Sequence, residues 1–237
     1  MKKFDRYLDE VMHNVFASPE DRGRLETDLR AHFAQAESQA ESADEIIAGL
    51  GTPEEVAAAF NTERGIRYAG FWQRFTAFVG DCGLLVALAV PVLGAAVLLS
   101  PPPALSSLAW TLFLAALALA EVGLFVFYFP LLEARFGKTL GKHLVGIRVV
   151  RENGASISLG QAFVRRLSLY FEVLVLDSLL IPFTEKHQRA LDIVAKTIVA
   201  REPGVSAPWW AYAVCLLLPL GSILALVGLI YICAPAS

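Results

Sequence analysis

Cysteine is scarce in this chain: Cys82, Cys215 and Cys233 are the only three in 237 residues, and each sits in an apolar run. They form no Cys-x-x-Cys pair and have no histidine at ligand spacing. That argues against a disulfide framework, a redox pair or a structural metal site, and leaves small residues packing in lipid-facing helices. His13, His32, His143 and His187 are scattered singly and receive no ligand role. A nucleotide loop is missing too. Gly137-Lys-Thr-Leu-Gly-Lys142 has glycines and lysines but not the Gly-x4-Gly-Lys-Ser/Thr spacing, and no strand-helix-strand unit surrounds it. The expected reading is a helix end turning at a membrane surface, its lysines near lipid phosphates. With no nucleophile motif, metal spacing or cofactor loop, no catalytic residue, metal or cofactor is expected, and the chain does not read as an enzyme. The first fifteen residues mix charge with apolar groups and hold no unbroken apolar core. The first apolar segment, near residue 75, is therefore expected to act as an uncleaved anchor.

Charge is also scarce, but only in part of the chain. Residues 1–69 hold 8 Lys/Arg and 14 Asp/Glu, whereas residues 70–237 hold 12 and 9. Eleven of those twelve basic residues fall between Arg135 and Arg201. Overall 56% of residues are hydrophobic and the mean hydropathy is +0.54, far more apolar than a water-soluble domain requires. An acidic first part is repelled by phosphates, so nucleic acid is not an expected partner.

The first 66 residues read as four short amphipathic helices. Phe4, Leu8, Val11, Met12 and Val15 recur at helical spacing. Ser18-Pro19-Glu20-Asp21 supplies an N-cap, a proline at the first helical position and acids suited to the helix dipole. Leu25, Leu29 and Phe33 then share a face. Ser42-Ala-Asp-Glu45 is a capping box ahead of Ile46, Ile47 and Leu50. Gly51 ends that helix, and Thr52-Pro53-Glu54-Glu55 opens the last, with Val56 and Phe60. Tyr7-Leu8-Asp9, the Ser-Pro-Glu-Asp turn and Gly51-Thr-Pro-Glu-Glu-Val-Ala57 resemble the bacterial HAAS signalling domains. That resemblance implies an interaction module on the cytoplasmic side, with residues 1–66 binding a protein partner.

Three stretches are long enough to cross a bilayer, which takes about 20 apolar residues. Residues 75–99 are broken only by Asp81, residues 104–132 only by Glu121, and residues 207–237 carry no charge. The turn between the first two is short and uncharged, and the loop after the second is long and basic. The positive-inside rule then puts that loop and the N-terminus in the cytoplasm. The expected protein is an all-α, multi-pass protein of the cell (cytoplasmic) membrane, with the lipid bilayer as its first partner. Its parts are a soluble domain at 1–66, a membrane domain at 70–201 and a C-terminal transmembrane helix at 207–233. The stretch 167–183 is apolar but short, holds Glu172 and Asp177, and has basic residues on both flanks. Lying at or dipping into the interface keeps both flanks on one side; a fourth full span is the alternative. Gly146–Val150 and Ser156–Ser158 read as a small cytoplasmic β-hairpin across Arg151-Glu-Asn-Gly154. Residues 196–200 read as a further strand, and pairing it with them requires both loops on one side.

Arg74 and Asp81, seven apart, share a face of the first span, and an aspartate that deep is costly unless it faces protein or water. An internal polar tie and a functional acid are both open readings. Gly70-Phe-Trp-Gln-Arg74 with Asp81, the stretch 137–142, Gly146-Ile-Arg-Val-Val150, and Arg189-Ala-Leu-Asp192 followed by Thr197 resemble the RDD family of membrane proteins. The resemblance implies Arg74, Asp81 and Asp192 as the signature polar residues. It departs just before Asp192, where Ala190 and Leu191 replace a more usual histidine, and that weakens a proton-relay reading. Glu121, Glu172 and Asp177 are secondary acids, which can pair with Arg165 or Arg166, neutralise, or line a cavity. Two functions fit. One is a regulatory or sensory protein whose helical domain binds a partner. The other is a small ion or cation/proton transporter that must form a homo-oligomer, because three or four spans are few for a transport path.

Overall fold

The structure is a computed structural model that describes residues 2–39, 42–98, 107–170, 177–178 and 180–233. It separates into two compact units: Met1–Phe71 with Gly146–Ser206, and Trp72–Val145 with Ala207–Ser237.

In the first unit, four helices form where the caps predict them. They are α1 (Lys2–Asn14), α2 (Pro19–Ser38), α3 (Ala43–Leu50) and α4 (Pro53–Arg64). Ser18 Oγ accepts from the Asp21 amide, and Ser42 and Thr52 form full capping boxes with Glu45 and Glu55. The hydrogen bonds that close those boxes hold both glutamates below the usual carboxylate range. The apolar face of α1 is the centre of the bundle. Phe4, Tyr7, Leu8, Val11 and Val15 pack with Leu29, Phe33, Ile46 and Ala57, and the Phe4 and Phe33 rings stack at 4.0 Å. Burial, with Glu55 nearby, pushes the Tyr7 phenol above its ordinary value, and its hydroxyl donates to Gly51 O at 3.0 Å.

The rest of this unit is built on strand β1 (Ile147–Arg151), helices α8 (Leu159–Val164), α9 (Leu167–Tyr170) and α10 (Ala190–Val194), and strand β2 (Thr197–Arg201). The two strands form an antiparallel pair, with Ile147 opposite Arg201 and Arg151 opposite Thr197. The small sheet is therefore present, with the expected strand at 196–200 as its partner, but without the expected hairpin arm. Residues 156–158 form no strand. Ser158 instead caps α8, and Gln161 three residues on completes its capping box, a helix start that competed with the three-residue strand reading. β1 and β2 are buried along most of their length, so each needs a long-range partner rather than an exposed hairpin arm. Residues 67–69 flank the other edge of β2. Tyr68 bridges Ala200, the Ala69 amide donates to Val199 O at 2.9 Å, and the Arg201 amide donates to Arg67 O at 2.8 Å.

Phe16, between α1 and α2, packs against Val150, Ile198 and Ala200, so the connection between these helices and the strands share a second core beside that of the bundle. Asn61 reinforces this from a fully buried position. Its amide oxygen accepts from the Phe16 amide at 2.8 Å, and its nitrogen donates to Asn14 O and Asn153 O. Gly154, at φ +85°, leaves the room, because a Cβ there would stand 2.3 Å from Asn61 Nδ2. A bilayer cannot separate two paired strands. Residues 152 and 196, which flank the paired strands, therefore share one side, whereas the expected interfacial stretch 167–183 falls largely outside the described residues. Glu172, with residues 171–176 and 179, lies outside the described residues.

The second unit holds three helices long and apolar enough to cross a membrane: α5 (Phe71–Leu98), α6 (Ser107–Phe136) and α11 (Trp209–Cys233). A short helix, α7 (Leu140–Leu144), follows α6. α5 and α11 approach through glycine. A Cβ on Gly80 would meet Cys215 Sγ at 2.7 Å, and one on Gly83 would meet Pro219 Cδ at 2.6 Å. Cys215 is thus buried between helices rather than lipid-facing. Trp72, Trp209 and Trp210 are exposed near the starts of α5 and α11, as interfacial aromatic anchors are.

The shared core makes a prediction. Asn61→Ala strands two backbone acceptors and one donor and is expected to cost about 2 kcal/mol or more. The loss is read as a lower thermal midpoint of the full chain in detergent. A midpoint equal to wild type would remove Asn61 from the core of the unit.

Candidate functional site

Two buried carboxylates organise the polar residues, one in each unit. Asp81 lies on α5 and is fully buried. Its Oδ1 accepts from Tyr128 Oη on α6 at 2.8 Å and from the Gly141 amide at 2.7 Å, and Thr139 Oγ1 donates to Oδ2 at 2.5 Å. The Gly137–Lys142 stretch is what makes this possible. Gly137, at φ +71°, closes α6, with its amide donating to Glu133 O. Thr139 then caps α7, accepting from the Lys142 amide while giving its own hydrogen to Asp81. Gly141 is required because a Cβ would lie 2.1 Å from Ala77 O. The stretch that superficially suggested a phosphate loop therefore holds an internal carboxylate in the place of an anion. Lys142 does not reach towards lipid phosphates as expected. It is buried and paired with Glu133, which is fully buried. The Glu133–Lys142 pair escaped the sequence reading; its signal was an acid nine residues before a lysine across a helix-breaking Gly-Lys-Thr turn.

Asp192, fully buried at the start of α10, has a different environment. Its Oδ1 is 2.7 Å from Arg165 Nη1 and 3.3 Å from Arg189 Nη2, and its Oδ2 accepts from the Arg189 amide at 3.2 Å. Arg165 Nη1 also donates to Thr197 Oγ1 on β2 at 2.7 Å. Asp177 joins from the other side, accepting from the Leu191 amide at 3.1 Å with Arg189 Nη1 at 3.8 Å. Arg165 pairs with Asp192, whose position beside the strand start brings it within reach. Gln188 extends the network, donating to Thr197 O and to Glu152, which Lys186 also meets at 2.9 Å. Gln188 and Lys186 hold the Glu152 carboxyl below the usual carboxylate range.

The three signature residues are therefore divided between the units. Arg74 is buried on the first turn of α5, in the unit that holds Asp81, while Asp192 belongs to the other. Of the secondary acids, Asp177 joins the Asp192 network. Glu121 sits half-buried midway along α6, with no hydrogen bond or ion pair among the described residues. Among the described residues, no three His, Cys, Asp or Glu side chains converge as a metal site would need. Chemically, both carboxylates tie elements together. Asp81 joins α5, α6 and α7 through neutral donors, and Asp192 joins α8, α10 and β2 through two guanidinium groups.

The sequence model of the RDD family matches residues 68–196, and that of HAAS matches residues 6–59. No curated protein and no solved structure matches the chain. The first match covers more than half of the chain, which belongs to the RDD family.

Two predictions follow from these networks. Gly141→Ala and Asp81→Ala each strand donors around the same carboxylate position, and each is expected to cost about 3 kcal/mol or more. Reaction of Cys82 and Cys215 with a thiol dye on heating reads the loss, and an unchanged melt would show that the tie is dispensable. Glu152 has its carboxyl lowered by folding, so its contribution is present above its unfolded value, about 4.3, and disappears as pH falls through the lower folded value. Glu152→Gln should therefore melt below wild type at neutral pH, with the gap closing in acid. A gap independent of pH would contradict this.

Proposed function

We propose that this RDD-family chain is a non-enzymatic regulatory or sensory protein of the cell membrane. On this reading its HAAS domain lies in the cytoplasm and binds a protein partner. One observation carries the reading: Phe16, within the HAAS match, packs against Val150 of β1, within the RDD match, and against Ile198 of β2 just beyond it, while Asn61 at the end of α4 bonds both Phe16 and Asn153. A tethered domain on a flexible linker would need no such contact. A domain whose connecting loop is packed against membrane-domain strands is built to change with them. The basic belt from Arg135 to Arg201 supports the cytoplasmic side. The engagement of Asp81 by three donors, one of them a backbone amide that cannot swing away, favours a structural tie over a carboxylate that takes up and releases an ion.

Glu121 alone favours the transport reading, as a half-buried acid in mid-span without a partner among the described residues. Two measurements separate the readings. A photo-crosslinker at the exposed His32 or Gln35 of the full chain, in cells, is expected to capture one discrete protein. In proteoliposomes, the purified chain is expected to carry no cation-dependent proton flux. A flux abolished by Glu121→Gln, with no discrete adduct, would overturn the regulatory reading in favour of transport.

A further inference from the structure

The outer surface of the first unit contains a stretch in which buried charges lie beside exposed apolar groups. Between residues 177 and 194, the charged side chains Asp177, Arg189 and Asp192 are buried and bonded to one another, while Glu185 and Lys186 face out. Ile181 is buried, but four other large apolar side chains are outside: Phe183 is 82% exposed, Val194 67%, Ile193 47% and Leu180 40%. These residues are held on one locally rigid piece. Asp177 accepts from the Leu191 amide, Thr184 Oγ1 donates to Gln188 O and accepts from its amide, and Gln188 donates to Thr197 O on β2. The apolar groups are therefore not the frayed end of a chain that could fold inward.

We propose that the face carrying Leu180, Phe183, Ile193 and Val194 is seated in the interfacial layer of the lipid bilayer. The argument for lipid over protein rests on three features. First, β2, to which the piece is bonded, ends at Arg201 and the span α11 begins at Trp209, so only a short linker separates the strand from a membrane-crossing helix. Second, the exposed Lys196 follows Val194 by two residues, placing a cation where an apolar face would meet anionic headgroups. Third, Arg189 and Asp192 are buried against each other beside these exposed apolar groups, an arrangement tolerated where water is not available to compete. Monotopic helices seat their apolar faces about 5–10 Å into the headgroup and acyl boundary, a depth that a single turn and a short helix can occupy. The inference is independent of the partner-binding reading: it gives the first unit a direct contact with lipid whether or not the HAAS domain engages a protein.

The test uses the full chain with its three cysteines changed to alanine, reconstituted in vesicles of zwitterionic and anionic phospholipid. A nitroxide is attached at Phe183→Cys, at Val194→Cys and, as a water-exposed control, at Asp28→Cys on α2. Collision with oxygen, which concentrates in lipid, is compared with collision with a water-soluble nickel chelate. The expected result is an oxygen-to-nickel ratio several-fold higher at Phe183 and Val194 than at Asp28. A ratio equal to that of Asp28 would place the face in water and overturn the proposal. Low access to both agents would also overturn it, by showing protein cover from a partner or a second copy. Leu180→Cys and Ile193→Cys read the same face if either first label prevents folding.

Discussion

Strand β2 is the constraint on which the rest depends. It lies between two partners that are about eighty residues apart in the sequence: β1 on one edge and residues 67–69, just before the first span, on the other. Backbone hydrogen bonds cannot be made across a bilayer, so these three segments share one side. That requirement alone makes α5 and α6 a there-and-back pair and leaves α11 as the last departure.

The two buried carboxylates show how differently one chain can satisfy the same group. Asp81 lies within a span, where a permanent counter-charge would itself have to be desolvated, and it is met by a phenol, a hydroxyl and a backbone amide. Asp192 lies beside a strand in the first unit and is met by two arginines that also serve Thr197 and Asp177. A tie made of neutral donors is geometrically demanding, because each has one hydrogen to place. This accounts for the run of small and capping residues at 137–141. The arginine tie is less exacting in position but holds more partners, and it anchors α8, α10 and β2 together.

Much of this was legible in the residues. Four helices announced themselves by Ser18, Ser42, Thr52 and the glycine at 51, because capping is local chemistry. The three spans were legible because twenty apolar residues in a row have few alternatives. The strand at 196–200 was legible as well, but the hairpin was not, because Ser156-Ile-Ser158 alternates like a strand and begins like a helix cap, and only the buried faces of β1 and β2 decide between them. The pairing of Lys142 with Glu133, and of Arg165 with Asp192 rather than with the nearer Asp177, depends on where a turn sends the chain. Sequence spacing says that these charges need partners, and tertiary geometry chooses which. Arg74, Asp81 and Asp192 were singled out together by resemblance, yet they lie in separate units, so a motif read along the chain is not by itself a single site.

The shared core of the first unit bears on how such a chain could carry a signal. Phe16 lies between the first two HAAS helices, while Val150 and Ile198 belong to the strands, and all three lose the same contact if either side shifts. Asn61 adds a directional element, since its amide spans Phe16, Asn14 and Asn153 and can satisfy all three in only one arrangement. A packed core of this kind does not deform smoothly: it keeps its arrangement or exchanges it for another. A small displacement of β2 would therefore either leave the helical bundle unchanged or break the Asn61 arrangement outright, and coupling across this joint is expected to be switch-like rather than graded.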